Sequence, residues 1–512
     1  MTPMRRFNRI VFSVIVLGVY AEAGCKAEEP SPSTAVQTAL DALKSLSPAE
    51  RAAVFKQFAA TQSVAESKDI RAALEKAPAD PEKEGGEKKD DRPSPYSLHF
   101  QSTIISQKHD SLKDAPYAGP FSLQRNEDQK TSLTNTLYWG RRLWDGGELY
   151  VNPEVAGGEG LSGVTGIAGF PNGDIEKVGK AQPTPYVARL FLRQTFNLGG
   201  ETEKVEDDLN QIAGTRDIDR VTLTFGKIAA TDIFDTNQYS HDPRLQFMNW
   251  SIMDYGAWDY AADVRGYTPG MTLEWNHKDW TLRYGALMVV VRANAAQYDF
   301  NIRQANAQQL EYERRYKIFD RDGAARLLVY ENSAHMGSYR EAVDNAPNTT
   351  AVGSLSAPTT ALGMSRAYRV KYGFGLNAEQ QILKDLGGFL RASWNDGRTE
   401  TWMFTEIDRS LSLGATLKGS RWGRPDDTLG FAGVVNGLSK DHADYLRAGG
   451  TGFIVGDGKL NYALEKTVET YYSLALNKNI FLSVYYQHVS DPAYNQDRGP
   501  VNIGSLRLHV QY

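Results

Sequence analysis

The chain has 512 residues and a formal net charge of −5, which excludes the broad basic surface that nucleic-acid binding requires. Its single cysteine, Cys25, excludes an internal disulfide. The 46 glycines, 26 tyrosines, 20 phenylalanines and 9 tryptophans stand against a mean hydropathy of −0.46, a combination that aromatic girdles around a polar lumen produce and that a large secreted β-rich protein shares.

At the N-terminus, Arg5, Arg6 and Arg9 precede the apolar run from Ile10 to Val19, and Ala21-Glu22-Ala23 supplies a small-residue cleavage signal. Residues 1–23 therefore read as a secretory signal peptide. The run is about half of the ~20 residues that a membrane-crossing helix needs, which disfavours a retained anchor. Cys25 follows where a lipid acceptor would stand, but Glu22 occupies a position that a lipobox fills with an apolar residue, so cleavage after Ala23 without lipidation is expected. No later segment is long and apolar enough to cross as a helix, which leaves a barrel as the means of spanning.

Residues 24–77 read as a periplasmic helical segment. Val36, Ala39, Leu40 and Leu43 follow helical spacing, as do Val54, Phe55, Phe58 and Ala59. Between them Ser47-Pro48-Ala49-Glu50 combines an N-cap, a proline at the first helical position and a capping-box glutamate. Residues 78–94 are charged and rich in proline and glycine, and read as a linker. From there, residues 95–512 become a succession of roughly ten-residue alternating segments separated by turns, the pattern of an all-β transmembrane barrel.

The last segment is the clearest. Leu506, Leu508, Val510 and Tyr512 share one face, and Ser505, Arg507, His509 and Gln511 the other, as a lipid-facing closing strand needs. Thr470, Tyr472, Leu474 and Leu476 likewise alternate with Glu469, Tyr471, Ser473 and Ala475, before Asn477-Lys478-Asn479 turns the chain. Over Tyr186 to Leu198 the apolar set is Ala188, Leu190, Leu192, Phe196 and Leu198, and the polar set is Arg189, Arg193, Thr195 and Asn197. Alternation alone does not separate a barrel from a soluble sandwich. Closure is argued from the signal peptide, the aromatic terminal strand and the strand number, because an open sheet cannot satisfy its edges in lipid.

Three blocks then resemble the carbohydrate-selective porins of the OprB type. They are Trp144-Asp145-Gly146-Gly147-Glu148-Leu149-Tyr150-Val151-Asn152-Pro153-Glu154 with Gly157 to Ile175, the stretch Gly226 to Tyr267, and Val435 to Leu476 with Asp491 to Tyr512. The resemblance implies one barrel of about sixteen antiparallel strands in the bacterial outer membrane, with short periplasmic turns and long outer loops, some entering the lumen. It implies passive diffusion of small carbohydrates; a general or anion-preferring porin is the alternative. The helical segment and Tyr512, where a terminal phenylalanine is common, depart from the simplest pattern.

No enzymatic site emerges. Gly158-Glu159-Gly160-Leu161-Ser162-Gly163 satisfies G-x-G-x-x-G but neither follows a buried strand nor opens a helix, so it reads as a loop. Ser240-His241-Asp242 are neighbours in an extended chain, point to opposite sides, and read as a turn into Pro243. The eight histidines lack metal-site spacing, and the oxygen-rich run Asp232, Asp235, Asn237 and Asp242 lacks the EF-hand spacing, so neither metal nor cofactor is expected. The expected pore lining, chosen by alternation or by position in the blocks, is Arg189, Arg193, Asp232, Asp235, Asn237, Arg244, Trp258, Asp259, Asp263 and Arg265. A girdle position is the alternative for Trp250 and Trp258. Expected partners are small sugars and outer-membrane lipid, without nucleic acid. Homo-oligomerisation, and a periplasmic or cell-wall contact through residues 24–77, stay open.

Overall fold

The structure, a computed structural model, describes residues 94–113, 117–175, 181–345 and 365–512. The signal peptide, Cys25, the helical segment and all of the linker but its last residue lie outside the described residues.

The strands in chain order are β1 (Tyr96–His109), β2 (Lys130–Trp144), β3 (Gly147–Gly158), β4 (Thr184–Asn197), β5 (Thr202–Val205), β6 (Gly214–Asp217), β7 (Arg220–Ile228), β8 (Thr268–Asn276) and β9 (Trp280–Leu287). They continue as β10 (Asn306–Ile318), β11 (Arg321–Met336), β12 (Ala367–Gln381), β13 (Leu386–Asn395), β14 (Arg409–Gly419), β15 (Arg424–Gly437), β16 (Glu465–Asn477), β17 (Ile480–Ser490) and β18 (Val501–Gln511). All but β5 and β6 close into one antiparallel barrel of sixteen strands. Closure runs from Gln101 opposite Gln511 to His109 opposite Ile503, and Phe100 and Tyr512 exchange both backbone hydrogen bonds. No sheet edge is left to meet lipid, which is the condition for spanning with strands.

Alternation decides the two faces. On β18, Leu506, Leu508 and Tyr512 are exposed outward while Ser505, Arg507 and His509 are buried inward. β4 departs from its simple reading at a bulge: Asn152 pairs with Arg189 but Pro153 pairs with Val187, which leaves Ala188 unmatched. The extra residue shifts the phase. Tyr186, Ala188, Arg189, Phe191 and Arg193 thus all serve the inner side, and Ala188 packs with Ala229 and Tyr267 instead of joining Leu192 toward lipid.

The two rims differ. One carries two-residue turns such as Asp145-Gly146, Phe319-Asp320 and Lys478-Asn479, and the other carries long connections at 159–183, 229–267, 288–305 and 438–464. The connection 198–219, which holds the β5–β6 ribbon, is the exception on the short-turn rim and departs from the pattern implied by resemblance. Among the described residues the long loops add three helices, α1 (Trp250–Met253), α2 (Tyr339–Asn345) and α3 (Lys440–Arg447).

Loop 229–267 lies inside the barrel because the wall leaves room for its aromatics. Tyr239 seats against Gly387 and Tyr255 against Gly375, where any Cβ would collide with the ring. Carboxylates on the wall then bind loop backbone: Glu469 accepts the N–H groups of Met248 and Asn249, and Glu465 those of Ala168 and Gly169. Glu469 thus satisfies two donors that the lumen would otherwise leave unpaired, and Glu465, which also takes the Ala493 N–H, satisfies three. Trp250 and Trp258 are 3% and 1% exposed within this plug, so the girdle reading fails for both. Other aromatics suit the girdle better, among them Trp275, which meets Trp280 edge to face, and Tyr312, on which Trp280 stacks.

Candidate functional site in the lumen

Inside the barrel a cavity of about 930 Å³ runs from mid-height toward the short-turn rim. Arg189, Arg193, Asp232, Arg244 and Arg265 line it. Arg189 reaches from β4 to the loop and grips Asp232 through both Nε and a terminal nitrogen, each at 2.6 Å. Its guanidinium lies 5.1 Å from the Tyr267 ring centre. Four residues on, Arg193 donates to the Asn210 carbonyl at 2.8 Å and rests 5.0 Å from Tyr150 and 5.3 Å from Phe191. Arg265 lies 4.3 Å above Tyr186.

Glu154 and Asp174 complete the cluster. Glu154 accepts from Thr136, Tyr186, Tyr267 at 3.0 Å and Arg244 at 3.2 Å, and Asp174 accepts Arg244 Nε at 2.7 Å. Burial works against the Arg244 charge, but Asp174, Tyr138 and Glu154 outweigh it and hold the guanidinium firmly protonated. Burial also raises Asp174 despite Arg244 beside it. Arg244 additionally donates to Thr136 at 2.9 Å, so its donors are largely spent on the wall. Alternation with Tyr150 and Asn152 along β3 marks Glu154 as inward; Asp174, in a loop, has no such signal.

The other five expected residues lie outside the cavity and anchor the loop. Asp235 binds Arg391 at 2.9 Å and accepts the Tyr255 N–H at 2.7 Å. Asn237 donates to Asn377 at 2.7 Å. Asp259 accepts the N–H groups of Trp402 and Met403 at 2.8 and 2.9 Å and faces Lys371 at 3.5 Å. Asp263 receives the Tyr298 hydroxyl at 2.8 Å and closes its own turn on the N–H groups of Arg265 and Tyr267. Trp258 is packed among Phe234, Tyr255 and Tyr260. A buried carboxylate on a loop has no sequence signature for its partner, since Arg391 lies far along the chain from Asp235.

The remaining motifs resolve as structure. Ser240 donates to the Ile252 carbonyl at 2.7 Å and His241 faces Asp254, so no relay forms with Asp242. Burial disfavours a charged His241, but Asp254 outweighs it and raises the imidazole. The oxygen-rich run disperses to Arg189, Arg391, Asn377 and the Asp242 turn, and among the described residues no three metal-ligating side chains converge. Gly158, at φ 100°, ends β3, and the glycine motif continues as a loop with a single 3-10 turn, Leu161–Gly163.

Comparison with known proteins agrees with this architecture. A family model described as carbohydrate-selective porin, OprB family, matches residues 124–512. The high-pH structure of Pseudomonas putida OprB superposes with a TM-score of 0.59 at 14% identity, covering 82% of this chain and 94% of that one. The outer-membrane channel DcaP of Acinetobacter baumannii gives a TM-score of 0.45 at 11% identity, over 81% of this chain and 97% of that one. Curated protein sequences return no match. At these identities the first structural likeness speaks to the fold, and the family match carries the rest.

Proposed function

Because the chain belongs to the OprB family of carbohydrate-selective porins, channels for sugar diffusion across the bacterial outer membrane and not enzymes, we propose that its sugars are met by the arginine–aromatic cluster of the lumen cavity. The short-turn rim is then periplasmic and the long-loop rim extracellular.

A sugar entering a constriction gives up hydrogen bonds to water, and a channel passes it at speed only by replacing them weakly and in series. Sugars carry hydroxyls at their edges and C–H groups on their faces. Arg193 and Arg265, both held on rings, supply donors for the first surface, and Tyr186, Tyr267 and Trp250 supply a wall for the second. Arg189 acts with less freedom because Asp232 occupies two of its donors. Arg244 is a positioning residue that keeps Glu154 and Asp174 in place.

One observation carries the choice of a neutral solute. Among the described residues, eight arginines and seven Asp or Glu residues line the cavity, so its fixed charge nearly cancels. An anion-preferring pore needs an excess of one sign along its path. The test is planar-bilayer conductance. Ion selectivity should lie near unity, and added neutral sugars should lower conductance in the parent channel but less in Arg193→Ala and Arg265→Ala. Strong anion selectivity with no sugar block would establish the anion alternative instead.

A further inference from the structure

The connection between β4 and β7 is longer than joining them requires. Asn197 still pairs with Arg220, and the Leu198 N–H donates to the Asp219 carbonyl at 3.0 Å, so a two-residue turn would close the hairpin there. Residues 199–218 instead form the β5–β6 ribbon, and its tip turns back into the periplasmic mouth. Asn152 on β3 donates to the Asn210 side-chain oxygen at 2.8 Å, Arg193 on β4 to the Asn210 carbonyl at 2.8 Å, and Arg142 on β2 to the Ala213 carbonyl at 3.1 Å. Ile212 is buried in the cluster that holds Tyr150 and Phe191. At the base, Glu203 receives Arg216 at 2.8 Å and Arg220 at 2.9 Å.

These bonds tie the ribbon tip to β2, β3 and β4 and its base, through Arg220, to β7, while the stretch between them borders the cavity. Asn210, Gln211 and Arg216 line that cavity together with Arg220 and Glu274 of the facing strands. A solute leaving the arginine cluster therefore passes between the ribbon and β7–β8. The passage is edged by amide, guanidinium and carboxylate groups, which suit hydroxyl arrays as the upper cluster does.

We infer that the β5–β6 ribbon is a second constriction in series with the arginine cluster, and that it sets the size limit for sugars released into the periplasm. The inference rests on the proposed function in taking the cavity as the sugar path. Two narrow zones in series add their resistances, so removing one raises the flow and relaxes the size limit while the Arg265–Tyr186 and Arg189–Asp232 contacts of the other stay in place; Arg193 loses only its ribbon partner, the Asn210 carbonyl.

The experiment replaces residues 199–218 by Asn-Gly and compares the full chain with the parent in bilayers and in liposome swelling. Retained heat-modifiable mobility establishes that the variant has folded. Conductance should rise roughly twofold, and a trisaccharide should enter the variant faster relative to a disaccharide than it enters the parent. Unchanged conductance together with unchanged relative swelling rates overturns the inference. Should the ribbon deletion not fold, Gln211→Cys in a Cys25→Ser background serves instead. A bulky thiol reagent applied from the periplasmic side should lower its conductance, and labelled protein with parental conductance overturns the inference equally. Sugar block absent from the parent, with conductance still raised by the deletion, supports the second constriction and removes only the sugar reading of the upper cluster.

Discussion

Arg189 and Arg193 look equivalent along β4, yet their neighbours assign them different electrical weight. Asp232 compensates Arg189 at hydrogen-bond distance, whereas the described contacts of Arg193 are a carbonyl and two rings. Arg193→Ala should therefore shift the reversal potential in a salt gradient toward cations more than Arg189→Ala does, and Asp232→Asn should shift it toward anions. The shifts should shrink as salt rises past the point where the Debye length falls below roughly 10 Å. Equal shifts for the two arginines would show that the Asp232 pairing does not govern the field. Arg244→Ala is a different kind of change, since it strands Glu154 and Asp174 without their cation at a cost of roughly 3–5 kcal/mol. It should lower the temperature at which the barrel loses its heat-modifiable form, with Arg244→Lys intermediate because a point charge cannot span both carboxylates. Strand alternation and the family blocks point to these arginines in the sequence, and all three line the described cavity. Sequence reasoning could not read that Asp235, Asp259 and Asp263 anchor the loop, because what a loop carboxylate binds is fixed by distant strands and loops, not by its neighbours.

Elements show the same division between what is local and what is not. The closing strand β18 was readable because its face is written by residues two apart, and the structure keeps that phase from Ser505 to Tyr512. The bulge at Ala188 was not readable, since it arises from the register against Asn152 and Pro153 and flips the pattern midway. The helices of the outer loops depend on pairing of that non-local kind. α2 meets α3 through Tyr339, stacked 4.2 Å from His442, and through Arg340, which bonds Asp441 and Asp444. The hydrogen bond from Lys440, against slight burial and with help from Arg340 and Arg447, holds Asp444 at about 2, below its ordinary 3.8. A carboxyl whose folded value is depressed stabilises the contact fully above the unfolded value, and that contribution disappears as pH falls through the folded one. The α2–α3 contact should thus persist through mild acid and loosen only between about 3.8 and 2. Amide hydrogen exchange of α3 measured down this range checks it, and Asp444→Asn should remove the pH dependence; loosening already at pH 5 would assign it to another group.

At the scale of the whole molecule, closure makes a prediction that separates the barrel from everything N-terminal to it. The described barrel begins at Tyr96, and its first strand is already paired on both sides, with β2 from Tyr96 onward and with β18 from Gln101. Backbone pairing of the barrel ladder reaches back to Pro95, whose carbonyl accepts the Arg142 N–H at 2.7 Å, so the ladder asks nothing of the chain before it. Residues 24–77 are proposed as a periplasmic helical segment and residues 78–94 as a linker whose charge and proline content keep it from packing. Deleting residues 26–94 should then leave a protein that inserts, migrates faster on a gel before boiling than after it, and conducts as the full chain does. A closed ladder resists detergent until heat breaks many hydrogen bonds together, so the mobility shift reports closure and the conductance reports the path. The two readouts can part. A truncated protein that keeps the mobility shift but conducts differently would place the N-terminal segment in or across the channel, and a truncated protein that loses the shift would make that segment part of what holds the barrel closed.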